Sequence, residues 1–297
     1  MKQIGYILQY WLLGLISWWA NILPLRAALG FGALLGSFGF ILGIRKKVAL
    51  ANLSQSFPDK TRCEIAGIAR SFYRNLGRNL IELLRFERST KSDIQALVRF
   101  EGEEHFKTAL AGGKGAILVG GHFGNWEMYA AALAGAGYPF SVVVYPQHNA
   151  RVDAMLNRLR QDKGVRIIYK RNAAKDVFRE LKANRLVTML SDQDAGWDGV
   201  FVDFFGRPAS TTRGPALFAC KTGAPIITGV IVREGNGRHR GISQPPLFAD
   251  QAAGREQEIL RLTQEFTRRL EQCVREHPDH WYWVHRRWKT RPPINAA

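Results

Sequence analysis

Acidic residues are scarce in this chain: 25 Asp and Glu stand against 42 Lys and Arg, a formal net charge of +17. Such an imbalance implies an anionic partner, whether nucleic acid, an anionic membrane surface, or an acidic substrate or carrier protein. Cysteine is also rare. Cys63, Cys220 and Cys273 are widely spaced with no C-x-x-C, which excludes a zinc-ligand spacing and a full disulfide framework and fits a reduced, cytosol-facing domain. No Ser or Cys lies at nucleophile-elbow spacing, so direct transfer to an acceptor fits better than a covalent intermediate. There is no internal repeat and no low-complexity tract. Charge itself is nearly missing from the first 44 residues, where only Lys2 and Arg26 carry any.

That uncharged stretch is the first feature present. Residues 4–23, IGYILQYWLLGLISWWANIL, would span about 30 Å as a helix, the thickness of a hydrocarbon core. Their Trp and Tyr residues suit a membrane interface. A second apolar, Gly-rich run covers 27–44 and ends at Arg45-Lys46-Lys47, a basic cluster that points to the cytoplasmic side. The sequence thus predicts a membrane anchor over 1–47 and a catalytic domain over 48–297, a length ample for one large domain.

Beyond the anchor the hydrophobic period alternates. Ile65, Ile68, Ala69, Phe72, Leu76, Leu80, Leu83 and Leu84 mark an amphipathic helix over 61–87. Buried strands are expected at 115–121, 141–145, 166–169, 186–191 and 225–232. Helices are expected at 103–112, 125–135, 150–163, 173–184, 213–222 and 254–276. Strands alternating with helices imply an α/β layered domain.

The segment GAILVGGHFGNWEM carries the chemistry. His122 follows a buried strand, at the end where α/β sheets hold ligands. Glu127 falls in the first turn of the next helix. A carboxylate five residues from an imidazole is able to accept from one ring nitrogen, fix the tautomer and make the other nitrogen a better base. Asp192 and Asp194 with His122 form a rival, metal-binding reading. GGKG at 112–115 is only a weak likeness to a phosphate loop, because Gly115 follows Lys114 where Ser or Thr is needed. His105, His148, His239, His277 and His280 belong to no motif and read as surface or structural residues.

Here a resemblance becomes specific. HFGNWE resembles the H-x-x-x-x-(D/E) motif of glycerolipid acyltransferases, and its flanks resemble the late acyltransferases of lipid A biosynthesis, the lauroyl/myristoyl transferase family. NLSQSFPD (52–59), SDQDAG with VFVDFFGRPASTTRGPALFACKTGAP (191–225), and WYWVHRRWKTRP (281–292) are similar to the same family, so the likeness covers nearly the whole chain. It implies a mixed central sheet flanked by helices, with an N-terminal membrane helix, at the bacterial inner membrane and facing the cytoplasm. It implies transfer of a fatty acyl group from acyl carrier protein to a hydroxyl of a lipid A precursor, without metal or other cofactor. His122 would be the general base and Glu127 its partner. The family's functional arginine maps to Arg160, with Arg158 the rival, and its functional aspartate to Asp192; Asn125, inside the motif, joins the substrate-binding set. His285 lies in the C-terminal match with no assigned role. The superfamily also acylates phosphatidylinositol mannosides and lysophospholipids, so the acceptor stays open.

Eleven Lys/Arg against four acids fill residues 151–185, and 281–292 add four basic residues among four aromatics. Lys170, Arg171, Lys175 and Arg179 are expected on an outer face that meets carrier protein or anionic inner-membrane lipids. A nucleic-acid-binding protein is the non-enzyme alternative. No recognisable binding module supports it, and the apolar N-terminus argues against it.

Overall fold

A computed structural model describes residues 2–170 and 173–293. Its centre is a seven-stranded sheet in the order β1-β9-β8-β2-β5-β3-β4. The strands are β1 (Val98–Glu101), β2 (Ala116–Gly120), β3 (Phe140–Val144), β4 (Arg166–Tyr169), β5 (Leu186–Leu190), β8 (Ile226–Arg233) and β9 (His239–Ser243). All neighbours run parallel except β8 and β9. A separate antiparallel hairpin joins β6 (Val200–Asp203) to β7 (Pro208–Thr211).

The period-2 geometry of β2 sorts its side chains between two cores. Ala116 and Leu118 face a layer built from α4 (Arg62–Leu84), α5 (Lys91–Leu97), α6 (Glu103–Ala111) and α7 (Trp126–Gly135). Ile117 and Val119 face the opposite layer, with α9 (Ala173–Lys182), α10 (Gly214–Thr222) and α11 (Arg255–Glu276). Both faces are covered, and β2 is buried along its whole length. This explains why it reads as a continuous apolar run rather than an alternating one. α4 begins at a capping box in which Thr61 and Glu64 satisfy each other's backbone N–H groups. α8 (Ala150–Asp162) connects β3 to β4.

Four strands and two helices escape the hydrophobic pattern. β1 (VRFE) and β9 (HRGIS) are short and carry charges at exposed or half-exposed positions, so they resemble loops. β6 and β7 are four residues each, joined through Phe205 and Gly206, both at positive φ. α3 (Lys46–Ser56) and α5 are short and weakly periodic.

The N-terminal region departs most from expectation. α1 (Lys2–Ile22) and α2 (Leu25–Ile41) form, but among the described residues no single helix is long and apolar enough to cross a membrane. Only α2 taken with α3, bent by 91°, passes on length and composition. Gln9, Ser17 and Asn21 dilute α1, and they serve packing. Asn149 donates to the Tyr6 carbonyl (2.8 Å) and to Gln9 Oε1 (2.9 Å), and Asn21 donates to the Leu84 carbonyl (3.2 Å). α2 in turn lies backbone to backbone on α4. A Cβ on Gly36 would meet the Tyr73 carbonyl at 1.9 Å, and one on Gly77 would meet the Gly32 carbonyl at 2.0 Å. Both apolar helices are therefore built onto the α/β body. α1 still presents Ile4, Leu8, Trp11, Leu15, Trp18 and Ile22 outward, a stripe at alternating four- and three-residue steps.

Candidate active site

β2 and β5 are parallel neighbours, with Gly120 beside Leu190. The residues just past their C-terminal ends therefore meet, and these are His122 and Asp192. His122 Nδ1 donates to Asp192 Oδ1 at 2.8 Å, and the His122 backbone N–H donates to Oδ2 at 2.8 Å. Trp281 Nε1 donates to the same Oδ2 at 2.9 Å. With Nδ1 committed as donor, Nε2 is left as the basic nitrogen. This corrects the expected pairing, because Asp192 and not Glu127 holds the imidazole. Chain proximity misleads here, since Glu127 sits on a helix whose first turn directs it elsewhere.

Glu127 is gripped by Arg160 from α8, through Nε at 2.8 Å and Nη2 at 2.6 Å. Trp126 Nε1 adds a third contact at 3.2 Å, and Asn157 Oδ1 accepts from Arg160 Nη1 at 2.7 Å. Such a two-pronged, largely buried pair is rigid and charge-assisted. Burial opposes the charge of Arg160, but its bonds to Glu127 prevail and its pKa is raised. The rival Arg158 faces solvent and reaches Glu87 at 3.5 Å.

Electrostatics tie these groups together. Burial disfavours the His122 imidazolium, but the charge and hydrogen bond of Asp192, with the charge of Glu127, outweigh it and raise its pKa above the ordinary imidazole value. Asp192 is held below the usual carboxylate range despite its burial, chiefly by His122. The imidazole remains about a quarter exposed, packed edge-on against Trp126 (5.0 Å) and beside Tyr282 (5.8 Å).

A base must lose its proton to work, so the acid limb of any pH–rate profile should follow His122. Its raised pKa places that limb above the ordinary value of about 6.5. Asp192→Asn removes the main raising influence. The limb is expected to move to lower pH, while the plateau rate falls because Nε2 is less basic and less well aimed. A profile with an unmoved limb would overturn the assignment of Asp192 to His122.

A second network fixes the loop between His122 and α7. Gly124 adopts φ +56, and a Cβ there would meet the Ile231 carbonyl at 1.8 Å, so the position requires glycine. Asn79 Nδ2 donates to the Gly124 carbonyl at 2.5 Å. Asn125 caps α7 through Met128 N–H (3.1 Å) and donates Nδ2 to Glu82 at 2.6 Å. It is buried and spent on the scaffold. Glu82 also accepts both Arg233 nitrogens (2.5 and 2.6 Å) and His239 Nε2 (3.1 Å). Its carboxyl is held far below the usual range because its contacts with Arg233 and His239 overcome its burial. The sequence reading passes over Glu82 and Arg233. The signal was present as Asn75, Asn79 and Glu82, a polar stripe at helical spacing within an apolar helix. His239 and His280 are structural, as expected. His280 Nε2 accepts from Arg233 N–H at 3.0 Å.

Asp194 does not join His122. Its carboxylate accepts from Thr290 N–H (3.1 Å) and Oγ1 (2.9 Å) and from Gly196 N–H (3.3 Å). Among the described residues no group of three or more His, Cys, Asp or Glu is arranged to hold a metal. His285 Nε2 accepts from Asp194 N–H at 3.1 Å. Lys170 lies over the Tyr145 ring at 4.2 Å, Lys175 is exposed, and Arg179 pairs with Asp176 at 2.8 Å. Arg171 lies outside the described residues.

Residues 2–290 match the family model described as bacterial lipid A biosynthesis acyltransferase. The chain is 27% identical to the lipid A biosynthesis palmitoleoyltransferase of Escherichia coli (strain K12) over 299 residues, 96% of this chain and 93% of that protein. It is 28% identical to the lipid A biosynthesis lauroyltransferase of the same strain over 293 residues, 96% and 93% of the two chains. It is also similar to a phosphatidylinositol mannoside acyltransferase of Mycobacterium tuberculosis (strain CDC 1551 / Oshkosh), 29% identical over 194 residues. That match covers 63% of this chain and 58% of the mycobacterial protein's length.

Proposed function

Because the chain belongs to the bacterial lipid A biosynthesis acyltransferase family, we propose that it transfers a fatty acyl group from acyl carrier protein to a hydroxyl of a lipid A precursor. One observation carries the reading: His122 Nδ1 is anchored by Asp192, which leaves Nε2 as a base at the C-terminal edge of a parallel sheet. Nε2 takes the acceptor hydroxyl's proton as its oxygen attacks the thioester carbonyl. The C–O bond forms, the C–S bond breaks, and the departing thiolate takes the proton from the imidazolium. The Glu127–Arg160 pair flanks this base and positions the reacting carbonyl. A phosphatidylinositol mannoside is the second acceptor class, favoured by the mycobacterial relative's name. The test is transfer from carrier protein loaded with labelled acyl chains, offered both acceptors. Labelled product on neither acceptor would overturn the reading.

We place the protein at the cytoplasmic face of the bacterial inner membrane, with α1 lying along the lipid rather than across it. α1 is pinned to the body on one side, and its outward stripe is apolar. Such a helix enters the interface with its apolar face down. Each large side chain buried there contributes about 1.5–3 kcal/mol. Leu8→Lys with Trp11→Lys and Leu15→Lys should therefore lower co-flotation with phosphatidylglycerol–phosphatidylethanolamine vesicles at least tenfold. Unchanged flotation would remove α1 from the membrane contact. The basic face around Lys170, Lys175 and Arg179 is assigned to the acidic carrier protein and anionic headgroups.

A further inference from the structure

A cleft of about 660 Å³ opens between the start of α3 and the C-terminal segment. It is lined by Arg45, Val48, Asp194, His285, Arg286 and Lys289. Arg45, Arg286 and Lys289 are exposed, and among the described residues none of their charged heads is paired with a carboxylate. The one acid in the wall, Asp194, is already bound by Thr290 and Gly196. Three cations with no carboxylate partner among the described residues therefore line one cleft.

The cleft is built. Arg45 sits at φ +53, a conformation unfavourable for a side chain of its kind. Its turn is secured by the Tyr73 hydroxyl, which donates to the Ile44 carbonyl. The cleft also adjoins the chemistry. Its wall residue His285 follows the chain from Tyr282, whose ring lies 5.8 Å from that of His122. Asp194, two residues beyond Asp192, is tied to His285.

Its outer edge is apolar. Phe38, Ile41, Leu42 and Ile44, the residues leading into Arg45, are 57–74% exposed. A ligand resting there meets an apolar surface and then three cations. That sequence matches a lipid, whose phosphate lies at the boundary between its acyl chains and water. An acyl-loaded carrier arm also joins a phosphate to an acyl chain, so the donor is the competing occupant that the kinetic arm of the test separates.

We propose that Arg45, Arg286 and Lys289 form the subsite for a phosphate group of the lipid acceptor and so set the register of its hydroxyl against His122. The inference rests on the acyl-transfer reading for the identity of that lipid. Arginine and lysine together suit phosphate, the former by its fork of donors and the latter by its compact charge.

The experiment compares an acylated glucosamine disaccharide carrying phosphate with its dephosphorylated form, in one nonionic detergent. Binding is followed by tryptophan fluorescence and acyl transfer by labelled product. The wild-type chain should bind the phosphorylated form at least tenfold more tightly. Arg45→Asn with Arg286→Gln and Lys289→Gln should erase that preference; asparagine tolerates the positive φ, and all three positions are exposed, so folding is spared. A variant that keeps the preference overturns the subsite, as does one whose loss appears only in the Michaelis constant for acyl carrier protein, which would give the cations to the donor. Loss of binding to phosphatidylglycerol vesicles with the preference retained gives them to bulk lipid and also overturns it. The two readings separate cleanly. Discrimination in binding without transfer to either glycolipid supports the subsite and sinks the transferase assignment, while transfer without discrimination does the reverse.

Discussion

Replacing His122 with alanine is expected to lower acyl transfer by about 10²–10⁴-fold, the usual contribution of a positioned general base. Asp192 holds the imidazole at Nδ1, and its raised pKa makes it a stronger base than a free imidazole once deprotonated. Alanine removes the proton acceptor but leaves two of the donors to Asp192, the residue-122 backbone N–H and Trp281. The buried carboxylate thus stays partly satisfied, and the stability loss should fall within about 1–3 kcal/mol. Steady-state transfer and thermal unfolding on one preparation separate the two effects. Turnover within tenfold of the parent, in a folded variant, would refute His122 as the base.

The contrast between Asp192 and Glu127 indicates how far the sequence reads. His122 and Glu127 stand out because they share one short segment, and the strand before them is an unbroken apolar run. Asp192 lies 70 residues away. Only the adjacency of β2 and β5 brings it to His122, and strand order is a tertiary property that local periodicity does not encode. Arg160 is similar, meeting Glu127 across 33 residues. The resemblance points to both as functional, but it pairs His122 with Glu127, whereas Asp192 holds His122 and Arg160 holds Glu127. The long helices and central strands are legible because their apolar spacing is strong. β1 and β9 are not, since they sit toward one edge and alternate charged with buried positions. α1 reads as a span by length, but its Gln9 and Asn21 bond to the body and its Ser17 is buried.

The largest stability effect should come from Glu82, a residue with no place in the H-x-x-x-x-E motif. Its carboxylate is fully enclosed and accepts from Arg233, Asn125 and His239. Glu82→Ala leaves the Arg233 guanidinium, 9% exposed, without a counter-charge and strips a partner from Asn125. Removing one member of such a buried pair costs about 3–5 kcal/mol, far above the about 0–1 kcal/mol of a surface bridge. At roughly 2–4 °C per kcal/mol for a chain of this size, the melting point should drop by about 10 °C. Turnover should drop as well, because Asn125 caps the helix bearing Glu127 and the same network holds the Gly124 carbonyl through Asn79. The paired change Glu82→Met with Arg233→Met removes both charges and should recover much of the stability, since apolar replacements of a buried pair are often tolerated. It should not recover the rate, because Met cannot accept the Asn125 amide and the loop beside His122 loses its anchor. A Glu82→Ala variant that melts within 2 °C of the parent would show that water or another group already neutralises Arg233, and the network would lose its role as the support of the site.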